Sequence, residues 1–225
     1  MKNKFLLTAV AILSAMGFSE SSYAVGLQND TLPTVKKEVS KNDSIYTRIT
    51  GKESFECSSV VDVICKGDTF YIEMPVELMG REFLVTNRLQ KVQQELNDAG
   101  VNKGIVYQNQ SLTFEVDSLF KNVTIRQQRV TPEVPEGDAI QESVENNYVN
   151  PILARIKVDA VSPENKSVVF QVNELFNCSN SCVNDLFYNI NLGTSAISNL
   201  SRIIDIKAFE SNLTATAELT TKVVE

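Results

Sequence analysis

The sequence contains no histidine among its 225 residues. Histidine is the base of Ser-His-Asp and Cys-His catalysis and the commonest metal ligand in proteins. Its absence excludes those catalytic classes and the H-E-x-x-H zinc site from this chain. Tryptophan is also absent, which disfavours carbohydrate recognition through large aromatic platforms. We therefore expect no catalytic residue, no metal ligand and no cofactor in this chain.

Positive charge is also scarce. The chain has 21 Lys and Arg residues against 28 Asp and Glu residues, which gives a formal net charge of -7. An acidic chain is a poor partner for nucleic acid and for anionic membrane surfaces. No later apolar stretch has the roughly 20 residues that a membrane-spanning helix needs. We expect no nucleic-acid partner and no membrane span, and the oligomeric state stays open.

The N-terminus has the three parts of a secretory signal peptide. Lys2 and Lys4 precede an uncharged apolar stretch, Phe5–Phe18, which is too short to span a bilayer. Ser22 and Ala24 then occupy the −3 and −1 places of a small-residue cleavage site. This order predicts a signal peptide over residues 1–24, cleaved after Ala24, rather than a buried helix. No cysteine follows for lipid attachment, so we expect a soluble periplasmic or secreted product.

The four cysteines form two local pairs in the sequence. In an exported chain, an even number of cysteines favours disulfides. The alternatives are a four-cysteine zinc site, for which only the second pair has the usual spacing, and reduced buried thiols. The candidate disulfides join Cys57 with Cys65, and Cys178 with Cys182.

Strand-like patterns dominate the chain after a polar leader over residues 25–44. Short alternating apolar runs separated by turn signals predict an α+β fold, mainly antiparallel β with one or two short helices. We divide the chain into an N-terminal strand-hairpin region, 45–98, and a β-rich domain, 99–225. The second region contains one helix near 138–147, and whether its C-terminus is truncated stays open.

Two short patterns predict local features. Asn109-Gln110 lies between apolar runs and predicts a tight hairpin. Ser118 and Lys121 match the S-x-x-K nucleophile motif of penicillin-binding proteins. The partner motifs of that chemistry are missing, so we interpret the match as chance.

One stretch carries a family resemblance. Residues 69–89, TFYIEMPVELMGREFLVTNRL, contain Y-x-E-(M)-P-x-x-L-x-G-R-E-x-L-V-x-x-R, with Met74 in place of the usual Ile. This pattern resembles a signature near the N-terminus of secreted bacterial zinc-dependent metalloproteases. Stretches 46–51, 138–158 and 201–219 resemble other parts of the same region in the same order. The signature positions are Tyr71, Glu73, Pro75, Leu78, Gly80, Arg81, Glu82 and Arg88.

The resemblance implies a non-catalytic role. In that family, these regions are domains of unknown function that precede a separate zincin catalytic domain with H-E-x-x-H. Because this chain has no histidine, it resembles only the accessory part, as a fragment or a stand-alone relative. The implied partner is a zincin catalytic domain, which Arg81, Glu82 and Arg88 could contact unless they only face solvent. The alternative is a free-standing secreted or periplasmic binding module that uses an exposed sheet edge.

Overall fold

The computed structural model describes residues 4–15, 41–51, 60–98, 100–130, 132–176, 183 and 196–222. Within these residues, ten strands form one antiparallel sheet, which four short helices and two 3-10 turns accompany. The strands are β1 Lys4–Ala15, β2 Asp62–Lys66, β3 Thr69–Pro75, β4 Glu82–Lys91, β5 Val106–Val116, β6 Asn122–Gln128, β7 Ile152–Val161, β8 Ser167–Gln171, β9 Arg202–Ala208 and β10 Asn212–Lys222. The helices are α1 Lys41–Thr50, α2 Gln94–Asp98, α3 Gln141–Asn147 and α4 Asn173–Phe176, and the 3-10 turns are Val76–Leu78 and Ser198–Leu200.

The mainly antiparallel α+β architecture is confirmed. The strand order is β2-β3-β8-β7-β6-β5-β4-β1-β10-β9. Strands from both predicted regions, 45–98 and 99–225, therefore share one sheet, since β3 pairs with β8. The predicted helix near 138–147 is α3, which begins three residues later because residues 136–140 form turns. Order begins earlier than predicted, since α1 starts at Lys41 inside the polar leader.

The sheet curls around one apolar core. Strand β3 shows the required alternation, in which Phe70, Ile72 and Met74 are buried and the residues between them are half-buried. Buried residues of every strand from β2 to β10 belong to this cluster. Leu175 and Phe176 at the end of α4 belong to it as well. Because the core is common to all of these strands, the two edge strands β2 and β9 come into contact.

The tight hairpin predicted at Asn109-Gln110 is wrong. Both residues lie inside β5, which is continuous and pairs with β4 through a register shift between Val85 and Asn87. The side chain of Gln110 is buried, and its amide donates to the Val183 carbonyl at 3.1 Å. A buried hydrogen bond satisfies this polar side chain within the strand, so the polar pair needs no turn.

The S-x-x-K match, Ser118 to Lys121, lies in the turn between β5 and β6. Phe120 has a φ of 52°, and the Asp117 carboxylate accepts from the Lys121 backbone N–H at 2.7 Å. Ser118 and Lys121 thus lie on an exposed turn and not on the helix that the nucleophile motif requires.

Helix α1 covers an apolar patch on the outer face of the sheet. Ile49 packs there against buried residues of β2, β7 and β8. The helix is also tied to β3 by a carboxylate, because Tyr46 donates its hydroxyl to Glu73 Oε1 at 2.7 Å. Ser167 of β8 donates to the same oxygen. Glu73, a signature residue, therefore joins α1, β3 and β8.

The Tyr46–Glu73 contact predicts a loss of stability in alkali. Burial, followed by the hydrogen bond to Glu73, raises the pKa of Tyr46 from 10.0 to about 12. A pKa raised in the folded state stabilises the fold below pH 10, and this contribution is lost as the pH rises from about 10 through about 12. We expect urea titrations of Tyr46→Phe to show a shallower decline in this window than the parent. Equal slopes for parent and variant would contradict the contact.

Candidate docking cleft between the edge strands

A cleft of about 610 Å³ lies where β2 and β9 approach each other. Its floor is apolar, with Val63 and Phe70 on one side and Ile203 and Ile206 on the other. Each wall is an edge strand of the sheet, so within the described part of the chain each has a strand partner on one side only. The backbone groups on the outer side of such strands are the usual template for binding an extended peptide.

The β2 wall is held by one asparagine of α4. The Asn173 side chain accepts from the Phe70 backbone N–H at 2.8 Å and donates to the Asp68 carbonyl at 2.7 Å. Gly67, with a φ of 58°, provides the left-handed conformation at the tight turn between β2 and β3. This turn forms one end of the cleft, so Asn173 fixes the position of that end.

The β9 wall is held by contacts to β10. The backbone N–H of Thr220 donates to Ser201 Oγ at 3.0 Å, and Ser201 Oγ donates to the Ile197 carbonyl at 2.9 Å. Arg202 forms an ion pair with Glu218 of β10 at 3.0 Å. These contacts fix the start of β9 where it enters the cleft.

Charged groups of both signs surround the apolar floor. Asp205 and Lys207 form an ion pair at 3.2 Å, and Asp68 and Arg202 lie at the rim. Mixed charge at a rim around an apolar floor is the usual arrangement at protein interfaces. The cleft is therefore suited to an apolar peptide segment with polar flanks.

Cys65 lies on the β2 wall and forms no disulfide with another described residue. Burial, followed by the charges of Asp68 and Asp205, raises the pKa of this thiol. A raised pKa keeps the sulfur protonated, and a protonated thiol is a poor nucleophile and a poor metal ligand. Cys57, Cys178 and Cys182 lie outside the described residues, so the two disulfides stay predictions. The predicted cleavage site at Ala24 also lies outside the described residues.

Two large apolar side chains of the β9 wall are exposed. Ile204 is 48% exposed and Phe209 is 50% exposed, and both line the cleft. They extend the apolar floor to the surface, where a bound segment could cover them. An exposed apolar patch next to a free strand edge is typical of an interaction site.

The signature residues support the connection between β3 and β4. Leu78 is buried, and Gly80, with a φ of 78°, donates its N–H to the Phe114 carbonyl at 2.8 Å. Tyr71 and Pro75 are half-buried on β3. Among the residues that the structure describes around the cleft, none belongs to this signature. The exposed signature residues are Gly80, Arg81, Glu82 and Arg88.

Glu82 has a local partner on its own face of the sheet. Ser111 of β5 donates its hydroxyl to Glu82 Oε2 at 3.1 Å. Sequence reasoning placed a possible contact surface at Arg81, Glu82 and Arg88 and did not single out β9. The sequence of β9 does contain an indication of this surface. Its apolar residues Ile203, Ile204 and Ile206 occupy adjacent as well as alternate positions. Such a strand has apolar residues on both faces.

Two protein-family profiles match parts of this chain. A profile described as a domain of unknown function, DUF5117, matches residues 104–225, which is more than half of the chain. The chain belongs to the DUF5117 family. A second profile of unknown function, DUF5118, matches residues 60–92. The β9 wall of the cleft thus lies in the DUF5117 match, and the β2 wall lies in the DUF5118 match.

The family descriptions assign no activity to DUF5117 or to DUF5118. No curated protein and no solved structure matches this DUF5117 chain. In the described part of the chain, no group of three or more Cys, Asp or Glu residues is placed to hold a metal ion. No helix in that part is both long and apolar enough to cross a membrane.

Proposed function

We propose that this chain is an exported, non-catalytic accessory domain related to the N-terminal region of zinc-dependent metalloproteases. It acts by binding another polypeptide in the cleft between β2 and β9. The observation that carries this proposal is that two edge strands of the described sheet flank an apolar floor, next to the exposed residues Ile204 and Phe209. The relation to metalloproteases is supported by the signature between Tyr71 and Arg88.

The partner that fits this proposal is a zincin catalytic domain. A zincin domain supplied by a longer relative would bind with an extended apolar segment along β2 or β9. A second candidate is a free-standing periplasmic or secreted module that binds unrelated proteins. The same cleft supports it, and the two candidates differ only in the protein that occupies the cleft.

Export is tested by the mass of the released protein. We expect a bacterial host to release a product that starts at Val25, because Ser22 and Ala24 fit the cleavage pattern. The Ala24→Asp variant, which places a charge at the −1 position, should retain its leader. Intact mass spectrometry distinguishes the two products. A released parent protein that keeps residues 1–24 would contradict the export step.

The non-catalytic role is tested by proteolysis of casein. We expect the purified chain to cleave no casein with or without added zinc, because it has no histidine for an H-E-x-x-H site. A zincin protease serves as the positive control. Cleavage that follows the chain through purification and stops on addition of a chelator would overturn the proposal.

A further inference from the structure

The connection between β6 and β7 forms an arm, residues 132–149, that contains α3. None of these residues is buried. Most are exposed, and the half-buried ones are Val134, Gln141 and Val144. The base of the arm is fixed, because the Asn150 side chain donates to Gln128 Oε1 at 2.6 Å and accepts from the Arg129 backbone N–H at 3.1 Å. The arm is therefore a defined projection that leaves its own apolar residues uncovered.

Helix α3 has an apolar stripe on one face. Ile140, Val144 and Tyr148 are spaced four residues apart, and each backbone N–H in this series donates to the preceding member's carbonyl at 2.9 Å. Side chains at this spacing lie above one another on a helix. Ile140 is 56% exposed and Tyr148 is 45% exposed. Because a seven-residue helix is marginal without packing, a stripe of this kind indicates a docking partner.

The arm is also acidic. Between Arg129 and Arg155 the sequence has five Asp and Glu residues and no Lys or Arg. Two of the carboxylates, Glu142 and Glu145, are exposed on α3 itself. A surface that binds the arm by complementary charge therefore needs an apolar centre next to positive charge.

A recess at the opposite end of β6 and β7 has this character. Its volume is about 670 Å³. Its lining combines apolar residues with two exposed lysines, namely Phe120, Val158, Val161, Lys121 and Lys157. The lining also includes Asp159, whose carboxylate accepts from the Gln171 backbone N–H at 3.2 Å. The chain thus contains both an acidic amphipathic projection and a basic, partly apolar recess.

The places of the arm and the recess suit a two-fold dimer. The recess lies at the end of the strand pair where Asn122 is opposite Lys157, and the arm leaves at the end where Arg126 is opposite Ile152. Strand β6 has seven residues, so these ends are about 20 Å apart. A two-fold axis near the middle of the pair exchanges the ends, so each arm meets the recess of the other copy. Such a contact closes after two copies.

We propose that two copies of this chain form a dimer in which α3 of each copy docks into the recess of the other. The apolar stripe covers the apolar lining, as an amphipathic helix does in a groove. The two glutamates of α3 then face the two lysines of the recess. This contact is separate from the cleft between β2 and β9, so it goes beyond the proposed function and does not depend on it.

Sedimentation velocity of the full chain over a range of concentrations tests the dimer. We expect the parent to change from monomer to dimer as its concentration rises. One variant reverses the charge of α3 by Glu142→Lys and Glu145→Lys, and a second reverses the recess by Lys121→Glu and Lys157→Glu. Each alone should raise the dimer dissociation constant about tenfold or more, because like charges then face each other. An equimolar mixture of the two should regain the dimer, because each arm again meets opposite charge.

A matched control separates this contact from an effect of net charge. Helix α2 has two exposed carboxylates at the same spacing, so Glu95→Lys with Asp98→Lys adds the same charge elsewhere. This control should dimerise as the parent does, and an equal loss in it would overturn the proposal. A parent that stays monomeric at every soluble concentration, a mixture that does not regain the dimer, or assemblies larger than a dimer would also overturn it.

The dimer contact and the cleft can be tested separately. Leu119, which is 69% exposed, also borders the recess. Leu119→Asp should therefore weaken the dimer and leave binding at the cleft unchanged, whereas Ile204→Asp should do the reverse. Failure of the dimer is thus distinguishable from failure of the proposed function.

Discussion

Replacement of Phe114 by alanine is expected to lower the free energy of unfolding by about 3–5 kcal/mol. Phe114 of β5 is 3% exposed and meets Phe83 of β4 edge to face, with ring centroids 5.4 Å apart. It also lies 6.4 Å from the ring of Phe170 of β8. The substitution removes a side chain that joins strands from opposite parts of the sheet, and it leaves a cavity that close-packed neighbours fill only in part.

Urea unfolding followed by tyrosine fluorescence or circular dichroism measures the effect. Leu119→Ala is the matched control, because Leu119 is 69% exposed on the turn between β5 and β6. We expect this control to change the stability by less than about 0.5 kcal/mol. Since a domain has about 5–15 kcal/mol in total, Phe114→Ala could unfold a large fraction of the protein. A loss below 1 kcal/mol would show that the three rings do not share a common core.

Replacement of Ile204 by aspartate is expected to weaken partner binding by about 10- to 100-fold. Burial of an isoleucine side chain contributes about 1.5–3 kcal/mol, and 1.4 kcal/mol corresponds to a factor of ten in affinity. Because Ile204 is 48% exposed in the free chain, the change should leave the fold intact. Binding to a separately produced zincin catalytic domain from a longer relative can be measured by calorimetry.

Leu119→Asp serves as the control for the Ile204 variant. It adds the same charge at an exposed apolar residue that lies on another surface, the turn between β5 and β6. We expect this variant to bind as the parent does. Equal losses for both variants would indicate a general effect of charge, and no loss for Ile204→Asp would exclude the β9 wall from the interface.

The local patterns of the sequence predicted the local structure well where chain neighbours decide it. The alternation in β3, the turn before Gly80 and the start of β4 follow from turn chemistry and side-chain period. The helix α3 was expected because its turn signals lie next to it in the chain. The hairpin at Asn109-Gln110 was wrong because the partner of Gln110, the Val183 carbonyl, is distant in sequence.

The cleft could not be predicted because its walls are far apart in the chain. Strands β2 and β9 are separated by more than half of the sequence, and only the curl of the whole sheet brings them together. A period-two pattern states which face of a strand is apolar but not which strand lies beside it. For the same reason, the apolar pattern of Lys4–Ala15 did not indicate pairing with β4 and β10.

Hydrogen exchange of the chain alone and with the zincin catalytic domain tests the central claim most directly. If the cleft binds an extended segment, the backbone amides of β2 and β9 should exchange more slowly in the complex, because their outer edges become paired. The amides of β6, which lies between β5 and β7, should not change. Slower exchange at another surface, with β2 and β9 unchanged, would contradict the assignment of the cleft as the binding site.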